Sequence, residues 1–398
     1  MANQEKNLVI IIENANTEVK KLIKEGLLNG WDKNYLKAQV EIVIAETTKQ
    51  LQDQKATEEL IQDTEKGIKQ TFLTEYRQTL MILTKHAKND NTGLIGLALK
   101  QMKAETPFIV EGGKGIVIDV FENETVVGQA QIKNIRQYMT EYDLGSGGRY
   151  VDYTNELKSA MNEIVEKVCE GSLSMTTTRR NPDGSTSIVH KSLRNMAEIQ
   201  VRYNLIVEDM EKLGDVKFVV ASSHANASER CSWWQGKIFK VDLEVSSRPM
   251  GQYKGKPTPK IIGYIDGKPY YSLQQACENG FLSYNCQHRL IKYYKGVQPT
   301  KYDLVQVKQK SDATTRQRVL ENRIRQYKAK AEMSVEGFSD SYLNPYTQKY
   351  EVMDQRKHFN QMSKYWQDQY KQFSKDNNLP VYRWRTRITE TERELREL

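Results

Sequence analysis

Four cysteines in 398 residues are too few to read as a disulfide framework, so the expected setting of synthesis is a reducing cytoplasm. Histidine and tryptophan are nearly as scarce, at five each. Long apolar runs are missing: nothing approaches the roughly 18 to 20 apolar residues that a membrane span needs. The stretch "NLVIII" (7–12) is short and is followed at once by "ENANTE", which argues against a secretory signal. There is no HExxH, no GxxxxGK[ST] phosphate loop and no local cysteine-protease signature. Repeats and low-complexity tracts are absent too. What is present is a polar chain, 38% hydrophobic and 28% charged, with a net charge of +8. Lys and Arg are interspersed with Asp and Glu almost everywhere, so a solvated surface accounts for most of that charge.

Residues 1–105 read as helical. "NTEVKKLIKEGLLNG" spaces Val19, Leu22, Ile23 and Leu27 three or four apart, with Gly30 as the stop. Two longer amphipathic stretches follow, and His86 falls at the end of the second, a surface or helix-end residue rather than a ligand. Residues 106–215 form a mixed region. "PFIVEGGKGIVIDVFENETVVGQAQI" predicts one or two hairpins, "DLGSGGRY" (143–150) a turn, and "TTTRRNPDGSTS" an exposed turn or hairpin between two helices.

Residues 216–300 read as the central domain. "KFVVASS" is a short buried strand running into His224, and "GKIFKVDLEV" and "PKIIGYIDGKPYYSL" are further strands, with Asp266-Gly267 as a tight hairpin turn. Residues 301–398 read as a helical, basic region, with 20 Lys and Arg against 14 Asp and Glu and a break at Leu379-Pro380. The fold class expected is therefore α+β: helical N- and C-terminal regions around a central mixed α/β domain.

The scarce residues gather in that domain. "SSHANASERCSWWQG" holds His224, Cys231 and two tryptophans, and "NCQH" follows with Cys286 and His288. Two His and two Cys make a plausible tetrahedral zinc set. The spacings are not those of a zinc finger, and Cys-x-His can bind only where a bend turns both side chains to one side, since a strand points them to opposite faces. Cysteine also packs well as a small hydrophobe, as expected for Cys169 and Cys277. A metal site and a packing cluster both stand open on the residues alone. The same residues admit an enzyme, with Cys231 or Cys286 as nucleophile and His224 or His288 as base. "STS" at 185–187 hints at an ADP-ribosyltransferase strand, but the acidic pair it requires would have to be Glu390 and Glu392 in the charged tail, which reads as chance.

"VVASSHANASERCSWWQGKIF" with "YSLQQACENGFLSYNCQHRLIKYYKG" resembles the phage minor capsid protein 2 family, a relative of the Mu F-type head morphogenesis proteins. The family pattern falls here on Ser222, Ser223, His224, Cys231, Trp234, Gln235 and Gly236, then on Gly280, Asn285, Cys286 and His288. A position that takes either His or Cys suits a metal ligand, so the resemblance favours zinc on His224, Cys231, Cys286 and His288. The family's Arg-Pro is replaced here by "SER", with Arg230 directly before Cys231.

The resemblance implies a virion structural protein of a tailed bacteriophage. It would act in head assembly near the portal and the packaged DNA, with portal or major capsid protein and nonspecific double-stranded DNA as partners. It implies no membrane, no small-molecule substrate and no catalytic residues. The rival reading is a metal-dependent hydrolase or a phage-delivered toxin using the His/Cys cluster.

Overall fold

In the computed structural model, residues 2–90, 93–104, 117–119, 124–126, 135, 151–169, 173–180, 186–243, 257–282, 286–297, 301–335 and 338–388 are described. The expected turn at 143–150 and most of the 107–132 hairpin region lie outside them. The chain folds as two compact units, each discontinuous in sequence.

The larger unit takes residues 8–194, 322–367 and 383–398. It opens with helices α1 (Ala2–Asn29), α2 (Lys33–Asp53), α3 (Glu58–Ala87) and α4 (Leu94–Lys103). Their apolar residues recur at helical spacing and are buried: Val19, Ile23 and Leu27 on α1, and Leu36, Val40, Ile44 and Leu51 on α2. α1 ends one residue before Gly30, as the sequence predicts. The starts of α2 and α3 are set by side-chain caps. Asp32 accepts from the amides of Asn34 and Tyr35, and Thr57 accepts from the Leu60 amide, satisfying donors the first turn leaves free.

Two short strands, β1 (Val117–Asp119) and β2 (Glu124–Val126), pair antiparallel. After α5 (Val151–Val168), strands β3 (Ser174–Arg180) and β4 (Thr186–Ser192) form the expected hairpin. Gly67 lets α3 pack close here: a Cβ there would stand 2.3 Å from Leu193 Cδ1, so any larger residue would require that leucine side chain to move.

His86 lies in the last turn of α3, as expected, but it is buried rather than on the surface. Its Nδ1 lies 2.6 Å from Glu156 and its Nε2 2.8 Å from Glu163, both on α5. The ring thus bridges the two carboxylates, one at each nitrogen. His86→Ala is expected to loosen α3 from α5 and to destabilise this unit by about 1–3 kcal/mol, measurable as a fall in the urea midpoint.

The C-terminal region carries two long helices, α9 (Leu304–Met333) and α10 (Gln355–Asp376), as expected. Between them, however, sits an unpredicted ribbon of β10 (Ser339–Leu343) and β11 (Tyr350–Asp354). Asn344 makes it possible: its side chain accepts from the amides of Tyr346 and Thr347, and its own amide donates to Lys349 O.

The smaller unit takes residues 1–7, 195–321 and 368–382. Most of α6 (Leu193–Leu213) lies here, with a five-stranded sheet in the order β7-β8-β6-β5-β9. The strands are β5 (Phe218–Ala221), β6 (Ile238–Lys240), β7 (Ile261–Ile265), β8 (Lys268–Ser272) and β9 (Leu290–Lys292). Among the described strands, only β6 and β8 pair parallel. Asp266 and Gly267 both have positive φ, the geometry of the two-residue turn expected between β7 and β8.

Alternation along β5 sends Val219 and Ala221 to one face and Phe218 and Val220 to the other. The first face builds the main core with Met210, Trp234, Phe239, Phe281 and Cys277. Two short helices, α7 (Glu229–Ser232) and α8 (Leu273–Glu278), hold Cys231 and Cys277 against it. Cys169, in the larger unit, is buried as expected. Among the described residues, no helix is long and apolar enough to cross a membrane.

Candidate metal centre

Two segments far apart in sequence meet beyond the end of β5. Ser222 joins them. Its amide donates to Arg289 O at 2.8 Å, and its hydroxyl accepts from the Arg289 amide at 2.9 Å. The chain then crosses His224 and enters the single turn of α7, which turns Cys231 inward until it is 2% exposed. Trp234, fully buried, anchors the next turn in the core, and Gly236, at φ +68°, returns the chain to β6 with its amide on Ala221 O.

The second segment, 286–289, is irregular rather than a strand. That allows Cys286 and His288 to face the same way, the bend that Cys-x-His requires: Cys286 Sγ lies 3.4 Å from His288 Nδ1. Cys231 Sγ lies 3.6 Å from Cys286 Sγ. The two sulfurs and the imidazole nitrogen all fall within 4.8 Å of one another, and all three residues are buried.

Gln235 fixes the ring. Its Oε1 accepts from the His224 amide at 2.9 Å, which sets the carboxamide orientation, because a backbone N–H can only donate. The same oxygen lies 3.4 Å from His288 Nε2, so that nitrogen carries the proton. Nδ1 faces the sulfurs. Phe281 packs against the ring at 5.4 Å between centroids.

His224 stands beside this trio rather than within it. Its ring meets His288 edge to face at 4.6 Å, while its Nε2 is 3.0 Å from Ser222 Oγ and 3.1 Å from Gln287 O. Burial, then the neighbouring His288, lowers its pKa below the usual imidazole range. The two thiols affect each other more strongly. Their mutual hydrogen bond holds Cys231 well below the usual thiol range and pushes Cys286 well above it.

Of the residues singled out from sequence, Ser222, Cys231, Trp234, Gln235, Gly236, Cys286 and His288 thus share one site, with His224 at its edge. Ser223 is close by in sequence, with a buried hydroxyl that has no partner. Asn285 lies outside the described residues. Gln235 was visible as part of a motif, but its task depends on the backbone amide of His224, which no spacing reveals. Arg289 was missed. It forms a surface ion pair with Asp209 on α6, and nothing in its sequence neighbourhood distinguishes it from other arginines.

The sequence model of the family described as phage minor capsid protein 2 matches residues 157–398. The chain belongs to that family. It is accordingly a phage structural protein, and the matched span contains the whole His/Cys site together with α9 and α10. Family membership favours a structural over an enzymatic role and a place in the virion among other phage structural proteins. Comparison with curated proteins and with solved structures gave no match.

Proposed function

We propose that this chain is a minor component of the tailed-phage head, built in beside the portal during assembly and in contact with packaged double-stranded DNA. The observation that carries this reading is the family match across the sheet unit and the long helices. Two surface features support its finer parts.

The β10–β11 ribbon exposes an apolar face. Tyr350 is 74% and Val352 80% exposed, with Leu343 paired to Tyr350 beside them. Apolar surface of that kind, rimmed by Ser341 and Lys349, suits a protein neighbour such as portal or major capsid protein. The cations of the long helices suit phosphate. Lys301, Lys308 and Arg316 are exposed at or along α9, and Arg356, Lys357 and Lys364 along α10.

Quantitative mass spectrometry of purified particles tests the assignment. A few copies per particle are expected; free protein in infected cells with none in particles would return attention to a hydrolase or toxin. The DNA contact has its own signature. Binding to duplex DNA should weaken with salt, with each lost phosphate contact flattening the log–log slope by roughly 0.9. Replacing Lys301, Lys308 and Arg316 together by Gln should therefore reduce the slope by up to about 3 in filter binding. An unchanged slope would remove α9 from the DNA contact.

A further inference from the structure

We propose that Cys231, Cys286 and His288 bind one zinc ion, with His288 coordinating through Nδ1 and Gln235 acting as its positioning residue. The inference stands apart from the virion role, because it rests on the site's chemistry alone.

Three observations converge. The donor atoms are two sulfurs and one imidazole nitrogen within 4.8 Å of one another, and all three residues are buried. Two thiolates with an imidazole are a soft set that selects zinc over magnesium or calcium, and distances of about 2.0–2.3 Å to a central ion need only small movements from this spacing. The second observation is the tautomer. Metal-bound histidines characteristically donate their other nitrogen to an acceptor that fixes the ring. Here Gln235 Oε1 takes that part for His288 Nε2, and it is itself locked by the His224 amide.

The third observation is what the site would be without an ion. Two cysteine sulfurs 3.6 Å apart, 2% and 3% exposed, stand with the His288 ring in the core, a set of donors that a bound ion would gather to one centre. On binding, both sulfurs become ligands as thiolates, and the protons they carried leave to solvent. The ion would tie α7 to the 286–289 segment, sequences about fifty residues apart, and so close the end of the sheet where β5 and β9 emerge.

His224 is outside the ligand set. Its Nε2 is engaged by Ser222 and Gln287 O, so three protein ligands leave the fourth tetrahedral corner to water. This separates the four residues experimentally.

The full chain, purified without added chelator, is expected to carry one zinc per molecule by elemental mass spectrometry. Cobalt loading should give intense thiolate-to-metal charge-transfer absorption. His288→Ala and Cys286→Ser should lose the metal, and His224→Ala should keep it. Gln235→Leu should weaken zinc about 10- to 100-fold in chelator competition, and Gln235→Glu should restore it, since a merely structural glutamine would show no such rescue in affinity. The ligand variants can fail to fold, so the wild-type chain provides an independent reading. A mercurial thiol reagent should release the zinc as two thiols are modified. Wild-type protein that takes up neither zinc nor cobalt overturns the proposal. So does a Cys231–Cys286 disulfide in freshly purified chain, or metal that persists in both ligand variants.

Discussion

Replacing Glu13 with Ala is expected to destabilise the larger unit by roughly 3–5 kcal/mol, the cost typical of removing one partner from a buried ion pair. Glu13 sits on α1 with its side chain 9% exposed. Arg194 donates to its Oε1 at 2.8 Å, and Arg325 Nε lies 3.5 Å from the same oxygen, both arginines being nearly as buried. Deleting the carboxylate leaves two guanidinium groups facing each other with little water to screen them. Both also hold the carbonyl of Arg385, Arg325 at 2.5 Å and Arg194 at 3.4 Å, while Thr17 donates to Ile388 O. The damage should therefore spread to the segment 383–388. Amide hydrogen exchange there should accelerate in Glu13→Ala, and Glu13→Gln, which keeps an acceptor and the shape, should cost clearly less. Equal losses in the two variants would mean that packing, not charge, holds the segment.

That network also marks where sequence reading stops. Glu13, Arg194 and Arg325 are ordinary charged residues on helical patterns, and the first pair is separated by 181 positions. No local rule announces such a partner. Elements with their own chemistry were legible: the strand Phe218–Ala221 from its apolar run, the β7–β8 turn from Asp266-Gly267, the end of α1 from Gly30. The ribbon β10–β11 was not, because it lies in a charged stretch between two strong helices, and its turn is set by Asn344 bonding to its own neighbours. The His/Cys site was legible through the order of its residues, which matches a family, and hardly at all through spacing. Cys231 and Cys286 are brought together by the pairing of β5 with β9, a long-range contact. The departure of Cys286-x-His288 from strand geometry was legible only as a condition, met by the irregular backbone of 286–289.

Glu75 leads to the second large effect. It lies on α3 in the core of the larger unit, 4% exposed, and neither carboxylate oxygen has a hydrogen-bond partner. Burial raises its pKa from 4.5 to about 8, the charge of buried Lys20 on α1 opposing this only in part. At neutral pH the folded chain thus holds this carboxyl protonated, while the unfolded chain ionises it. The sign follows directly. Between pH 4.5 and about 8 the folded state binds the extra proton, so raising the pH through that window removes stability. Each unit of pKa difference corresponds to about 1.4 kcal/mol, which sets an upper bound on the loss of roughly 5 kcal/mol. Cys169, near both Glu75 and Lys20, is itself raised to about 12 by burial and stays a thiol throughout, so it adds no slope of its own. Glu75→Gln keeps the size and never ionises. Its urea midpoint should stay level across this window while the wild-type midpoint falls, leaving the variant a few kcal/mol more stable near pH 8. Parallel curves would show instead that Glu75 is ionised against Lys20 in the folded core. Lys20→Met discriminates further: removing a nearby charge that favours ionisation should extend the decline to higher pH if Glu75 is neutral, and should unfold the unit at neutral pH if the two form an ion pair.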